Sequence, residues 1–522
     1  MTIARLEVRT YNPSVLGTLL NELSHKQALD ATTKPHLSYL QDYLRDIGAR
    51  TIVVETPYTD RDYLEDYAAY YARCHEQYGR RCSRLHFFSS SFDQALIDRA
   101  IVGDKTCVSQ LQGNYLGFIV VKPLPSTVIG RTCLVTYARL EGSREYPATR
   151  EYKVHLFGIE LSVRSLPFQE QDRDVAACAT SALWSVFNET GHIFQHNIPS
   201  PAEITNAAAE SRRVMSRALP AGSGLTAEQI ADAIRSVGLE PGYIKAENID
   251  LLLISATAYL RAGIPGILLG ALIRQKNKRS RPVELGLHAV ALAGYGRPEG
   301  KPVQYGSTLF SATGSTRLYA HDDQLGPFSK LIVDRNKFPG LLSSSASERT
   351  GIRFSPQTLL VPLYHKIRVP VEAVISAIAA LNGFVEATRQ AIVVPLDKPV
   401  VWDIQLVSNA DLKREVYGNG AILGEFRRKA LLEDLPRYMW RASAEVGGSR
   451  LFDLLFDATD LLQGGHFTTG IPYSKETCMK IASLARVPRG ILSRSSNRVM
   501  AMALNWFTEN ANGFDKATPA SH

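Results

Sequence analysis

Cysteine is scarce in this 522-residue sequence: Cys74, Cys82, Cys107, Cys133, Cys178 and Cys478 are all there are, and none falls in a CxxC pair. So few, so unevenly spaced, do not make a disulfide scaffold, and without CxxC neither a zinc ribbon nor a dithiol redox motif is expected. Long apolar runs are missing too. The longest, 251–273, is interrupted by Arg261 and by Gly263-Ile264-Pro265-Gly266, whereas a membrane span needs about 20 predominantly apolar residues. The opening Met1-Thr-Ile-Ala-Arg-Leu-Glu lacks a signal peptide's apolar core, so the expectation is a cytoplasmic protein of a reducing compartment, with no membrane partner. There is no internal repeat, no P-loop and no dinucleotide fingerprint. The one GxG, Gly418-Asn419-Gly420, lacks a third glycine, and no cofactor or metal is expected.

What is present is ordinary globular material. Apolar residues make up 45% and charged residues 21%, which excludes a largely disordered chain. Lys and Arg number 59 against 51 Asp and Glu, for a formal charge of +8. Only the run 274–281 concentrates it, with five positive charges in eight residues. That run has no interleaved aromatics and reads as a solvated hairpin connection, so no nucleic-acid partner is expected.

The length predicts two to four domains. Residues 1–160 read as an α/β accessory domain, with strands near 3–10, 51–55, 85–88, 115–121, 133–137 and 154–163 and helices among the early ones. Tyr63, Tyr67, Tyr70 and Tyr71 read as the buried stripe of a helix. Residues 346–508 read as an α+β accessory domain. Pro370 opens a helix there, strands follow near 391–394, 400–407 and 420–426, and helical stretches run to about 507. Asp453, Asp457 and Asp460 read as an exposed acidic edge rather than a metal site, and 509–522 as a disordered tail.

The middle segment, 161–345, carries the chemistry. Cys178 stands where a polar, extended stretch turns into a helical pattern, and the positive end of a helix favours a thiolate there. Thr226 and Gln229 form a capping box, closed by Gly238. A helix over 248–261 and a strand over 265–273 lead to His288, which opens an apolar strand. A further strand, 316–320, ends in the acidic turn His321-Asp322-Asp323-Gln324-Leu325-Gly326-Pro327. A thiol, an imidazole to move its proton and a carboxylate to orient the imidazole are the parts of nucleophilic acyl chemistry. His321 is the weaker imidazole, since it sits in a polar turn.

These pieces, in this order, resemble the papain-like cysteine peptidases over about 166–342, and within them the double-glycine peptidases that process bacteriocins. The resemblance rests on Gln171-Asp-Arg-Asp-Val-Ala-Ala-Cys178-Ala-Thr, Gly224-Leu-Thr-Ala-Glu-Gln-Ile, Ala262-Gly-Ile-Pro-Gly-Ile-Leu-Leu and Leu287-His288-Ala-Val-Ala-Leu-Ala-Gly-Tyr. It implies an α+β fold with a helical half and an antiparallel β half, Cys178 as nucleophile, His288 as general base and acid, and Asp322 as its orienting partner, with Asp323 the close alternative. The family keeps its oxyanion glutamine six residues before the cysteine. Asp172 holds that place here, with Gln171 seven before and Gln169 nine before. Gln171 is the expected donor. The implied activity is hydrolysis of a peptide or amide bond in a peptide or protein substrate, with a protein partner held by the flanking domains. Acyl transfer to an amine on the same triad, and a non-catalytic binding role, are the alternatives.

Overall fold

Short β-branched and aromatic runs between helical segments build the N-terminal part of the chain. In the computed structural model, residues 5–24, 35–137, 144–172, 177–209, 224–275, 279–391, 398–461, 466–485 and 498–516 are described. Strands Arg5–Thr10, Thr51–Tyr58, Cys82–Phe88, Tyr115–Val121 and Ile129–Leu134 pair in chain order, and every pair is antiparallel. Alternation sends Ile52, Val54, Leu85 and Phe87 to one face, against Leu16, Leu20 and Leu40 of the first two helices. Val53, Phe88 and Val120 face the other way, against Tyr63, Ile97 and Leu111. The sheet is therefore covered on both faces, but by antiparallel pairing rather than the parallel units that an α/β reading implies. The tyrosine stripe packs as expected, although its helix, Arg61–Ala69, stops before Tyr71. The expected strand 154–163 is a hairpin, Arg150–Leu156 with Ile159–Ser165. It reverses at Phe157 and Gly158, both at positive φ, as a two-residue turn between twisted strands demands.

Six strands of an eight-stranded sheet form a closed ring in the next assembly. Ile267–Arg274, Val283–Gly296, Arg317–Asp322, Gly326–Val333, Leu342–Ser343 and Ile352–Tyr364 pair antiparallel in that order, and the last pairs back onto the first. The sheet thus closes on itself. At the closure Gly270 lies opposite His288 on one side. On the other, a Cβ would meet the Ser355 carbonyl at 2.1 Å and the Phe354 ring at 2.8 Å, so only glycine fits. Helix Cys178–Phe194 packs against this barrel through Leu183, Trp184 and Phe187, which share a core with Ile267, Ala289 and Ala291. The fold class is α+β, a helical layer against antiparallel sheet.

The chain separates differently from the expected division at 160 and 345. One compact unit comprises Met1–Tyr243, Gly263–Tyr295 and Arg317–Pro362; the other comprises Ile244–Ala262, Gly296–Thr316 and Leu363–His522. The N-terminal segment belongs with the barrel because the two share interior: Leu16, Leu40 and Ile52 lie in one cluster with Ala293 and Phe328. Trp184 Nε1 donates to Asp62 (3.0 Å) and Tyr71 OH to Asp172 (2.6 Å).

In the second unit, helix Ile249–Leu260 is apolar on all sides and buried. Tyr259 meets Trp440 edge-on, and Arg261 pairs with Asp403. The expected strand near 420–426 is the start of helix Gly424–Leu432. Strands Tyr438–Val446, Ser449–Asp457 and Phe467–Pro472 occupy ground read as helical. Asp453 is no exposed edge: it is fully buried beside Arg450, 3.5 Å away. The expected disordered tail begins as helix Ala511–Lys516, whose Phe514 is buried against Phe426, Trp506 and Phe507. Residues 517–522 and 392–394, and Lys276 and Lys278 of the basic loop, lie outside the described residues. Helix Val371–Gln390 is long and apolar enough to cross a membrane by length and composition. Its buried positions, among them Val371, Val374, Ile378, Leu381 and Val385, recur at three and four residues, as on a core-facing helix.

The turn that carries the acidic residues depends on a close approach. A Cβ on Gly326 would lie 2.2 Å from the Tyr39 ring, which is held there by its hydroxyl donating to the Pro327 carbonyl at 2.7 Å. Gly326→Ala should therefore cost about 1–3 kcal/mol by overpacking in urea denaturation. Gly113→Ala, where nothing lies within 4 Å, should cost nothing comparable; equal losses at the two glycines would contradict the packing argument.

Candidate active site

Three elements of the barrel unit converge on one buried imidazole. The first is the helix that begins at Cys178. Its N-cap is Ala177, which has no side-chain acceptor for the first-turn N–H groups, so these donors remain for an anion. The Ala177 N–H itself donates to Thr180 Oγ1 at 3.1 Å. Beyond the first residue the helix is buried from Ala179 to Thr190, so the position of Cys178 is set by packing. Cys178 is half-buried, whereas Cys82, Cys107, Cys133 and Cys478 are fully buried and Cys74 donates to the Tyr70 carbonyl. Burial pushes the Cys133 thiol up to about 12. Cysteines other than Cys178 thus read as packing residues.

The second element is the strand Val283–Gly296, exposed from Val283 to Leu287 and buried from His288 onward. His288 enters the interior as the strand does, with the Phe354 ring edge-on at 6.2 Å. The third is strand Arg317–Asp322 and its turn. His288 Nε2 donates to Asp322 Oδ1 at 3.0 Å, while Asp323 Oδ1 is 3.8 Å from the same nitrogen. Asp322 is therefore the carboxylate of the two that hydrogen-bonds the ring. Its Oδ1 also accepts the Gln324 N–H at 3.0 Å, and the Asp323 carbonyl accepts from His36 Nε2 at 2.5 Å.

The electrostatics follow from burial. Burial alone would lower the His288 pKa, but the charge and hydrogen bond of Asp322, with further help from Cys178 and Asp323, raise it well above the usual histidine value. Burial works against the Asp322 carboxylate, and the imidazolium beside it overcomes this and holds its pKa low. His288 Nδ1, the other ring nitrogen, has no hydrogen-bond partner of ordinary geometry. No family model matches this chain, and no curated protein matches it.

The other candidates sort by geometry. His321 is satisfied on both nitrogens: Nε2 donates to the Leu166 carbonyl and Nδ1 accepts the Phe328 N–H, each at 3.0 Å. Burial pushes its pKa down to about 4, a neutral, structural ring. Gln171 is not among the residues that line the small cavity holding Cys178. It lines a larger cavity with Glu170 and Asp322, and its carbonyl accepts from Thr127. Gln169, 6% exposed, lines the small cavity that also holds Cys178, Ser181 and Asp323. The segment is held there because Phe168 exchanges two backbone hydrogen bonds with Thr132 and Glu170 N–H donates to the Ile129 carbonyl. Asp172 is occupied by the Tyr71 hydroxyl and lies 3.8 Å from Lys122 Nζ.

His288, Asp322 and Asp323 offer one nitrogen and two oxygens within 4.8 Å of one another, a spacing that a cation would accept. The short Nε2–Oδ1 contact instead makes the first two a proton-holding pair. Sequence reasoning weighed Asp323 only as a substitute for Asp322. It is 5% exposed with neither carboxyl oxygen hydrogen-bonded. Burial raises its pKa to about 7; His288 opposes the shift, and Asp322 and Glu170 add to it. An aspartate of the unfolded chain ionises near 3.9. A folded-state pKa raised this way confers stability that is complete below about 4 and is lost as pH rises through about 7. Asp323→Asn should accordingly melt progressively higher than the parent as pH goes from 4 to 7, with the gain level above that. A difference in melting temperature that ignores pH would contradict the assignment.

Proposed function

We propose that this chain is a cysteine hydrolase of papain-like architecture, a cytoplasmic peptidase or isopeptidase that cleaves a peptide or amide bond in a protein or peptide substrate. The observation that carries the reading is the His288 ring, bound through Nε2 to Asp322 at 3.0 Å. That leaves Nδ1, with no competing acceptor or donor, as the nitrogen for the thiol of a helix-start cysteine. The Cys178 sulfur attacks the acyl carbon and the C=O electrons move to oxygen. The Cys178 N–H and the Gln169 amide are the donors for that oxyanion. As the C–N bond breaks, His288 Nδ1 gives its proton to the leaving amine, and a thioester remains. Water then attacks the thioester, losing its proton to Nδ1, and the thiol is released. Asp322 keeps the ring oriented throughout and stabilises its charged form. The accessory parts of the chain hold the substrate protein or a partner.

His288 is the base that takes the Cys178 proton, and Cys178 is half-buried where Cys82, Cys107, Cys133 and Cys478 are buried. Iodoacetamide at pH 6 should therefore label Cys178 ahead of the other five cysteines, and His288→Ala should slow that labelling at least about tenfold. Equal rates in parent and variant, by peptide mass spectrometry, would rule the reading out.

A further inference from the structure

A second cavity, with Cys178 not among its lining residues, adjoins the imidazole–carboxylate pair, and the hydrolysis reading makes no use of it. Its volume is about 450 Å³, within the range of small-molecule sites. Much of the wall is apolar, from Leu272, Val290, Leu331, Leu342 and Phe354. One end is acidic: Glu170, Asp322 and Asp323 all line it. Two of these are committed, Asp322 to His288 and the Gln324 N–H, and Glu170 to the Ile129 N–H at 3.2 Å. Asp323 is different. Its side chain is 4% exposed, and both carboxyl oxygens lack any hydrogen-bond donor.

A buried carboxyl with no hydrogen bond is costly, and a charged N–H donor in the cavity would relieve that cost. The cations already there do not donate to it: the His288 ring lies 3.8 Å from Asp323 Oδ1 but gives its Nε2–H to Asp322. Arg353 donates to the Gln275 and Gly351 carbonyls and lies over the Phe338 ring, and Arg349 is exposed.

We propose that this cavity binds a primary amine carried on an apolar body, its ammonium group paired with Asp323 and its body against the Leu272, Val290 and Phe354 wall. The site stands apart from the thiol reading, because no atom of Cys178 takes part in it. Neutral analogues lack both the charge and the N–H donors, so the acidic end discriminates against them.

The test uses the full chain carrying Cys178→Ala, which removes thiol chemistry, and calorimetric titration with phenethylamine and with phenethyl alcohol at pH 8. The amine should bind at least tenfold tighter than the alcohol. Asp323→Asn should bring the amine down to the affinity of the alcohol. Ala346→Phe, which fills the cavity from a half-buried wall position, should abolish binding of both and serves if the Asp323 variant does not fold. Equal affinities for amine and alcohol, amine binding unchanged by either substitution, or no binding of the amine would each overturn the proposal. None of these outcomes alters the Cys178 labelling result, so failure here and failure of the hydrolase reading are distinguishable.

Discussion

The hydrogen bond from His288 Nε2 to Asp322 is the constraint around which the barrel unit is arranged. A buried imidazolium–carboxylate pair survives only if geometry and neighbours offset its desolvation, and the fold supplies both. Barrel closure puts Gly270 opposite His288 and leaves room for Phe354 beside the ring. The tight turn at Gly326, packed under Tyr39, gives Asp322 a second donor in the Gln324 N–H. His36, from a helix far back in the sequence, binds the next carbonyl. The N-terminal segment is therefore part of the site's framework, which is why its core and that of the barrel run together.

The parts of the site legible in the sequence were those written in local pattern. Cys178 stands at a polar-to-apolar helix boundary, His288 where a strand turns from exposed to buried, and Asp322 at a strand end before a glycine turn. Each signal spans a few residues, and each residue took the expected local position. The choice between Gln169 and Gln171 was not legible. It depends on how 166–170 lies along Ile129–Leu134, and a pairing across about forty residues leaves no mark in the spacing before Cys178.

The same reasoning explains where individual elements differ from expectation. A boundary at 160 follows from a change in composition, but compactness is decided by contacts such as Asp62 with Trp184 and Tyr39 with Pro327. Strands Tyr438–Val446 and Ser449–Asp457 escaped because they are buried on both faces and carry Arg441, Ser443 and Asp453 inside. Charged residues within an apolar run look like an amphipathic helix until their partners are known: Arg441 with Glu415, and Asp453 with Arg450.

The central claim is that His288 is held as an imidazolium between Asp322 and the thiol side. Side-chain nitrogen-15 shifts of His288, assigned with a His288→Gln control, test it most directly across pH 5 to 9. The account predicts that both ring nitrogens stay protonated well above the ordinary histidine pKa near 6.5, and that Asp322→Asn brings the titration down. A His288 that deprotonates at or below the ordinary value in the parent protein, or that ignores Asp322→Asn, would contradict it.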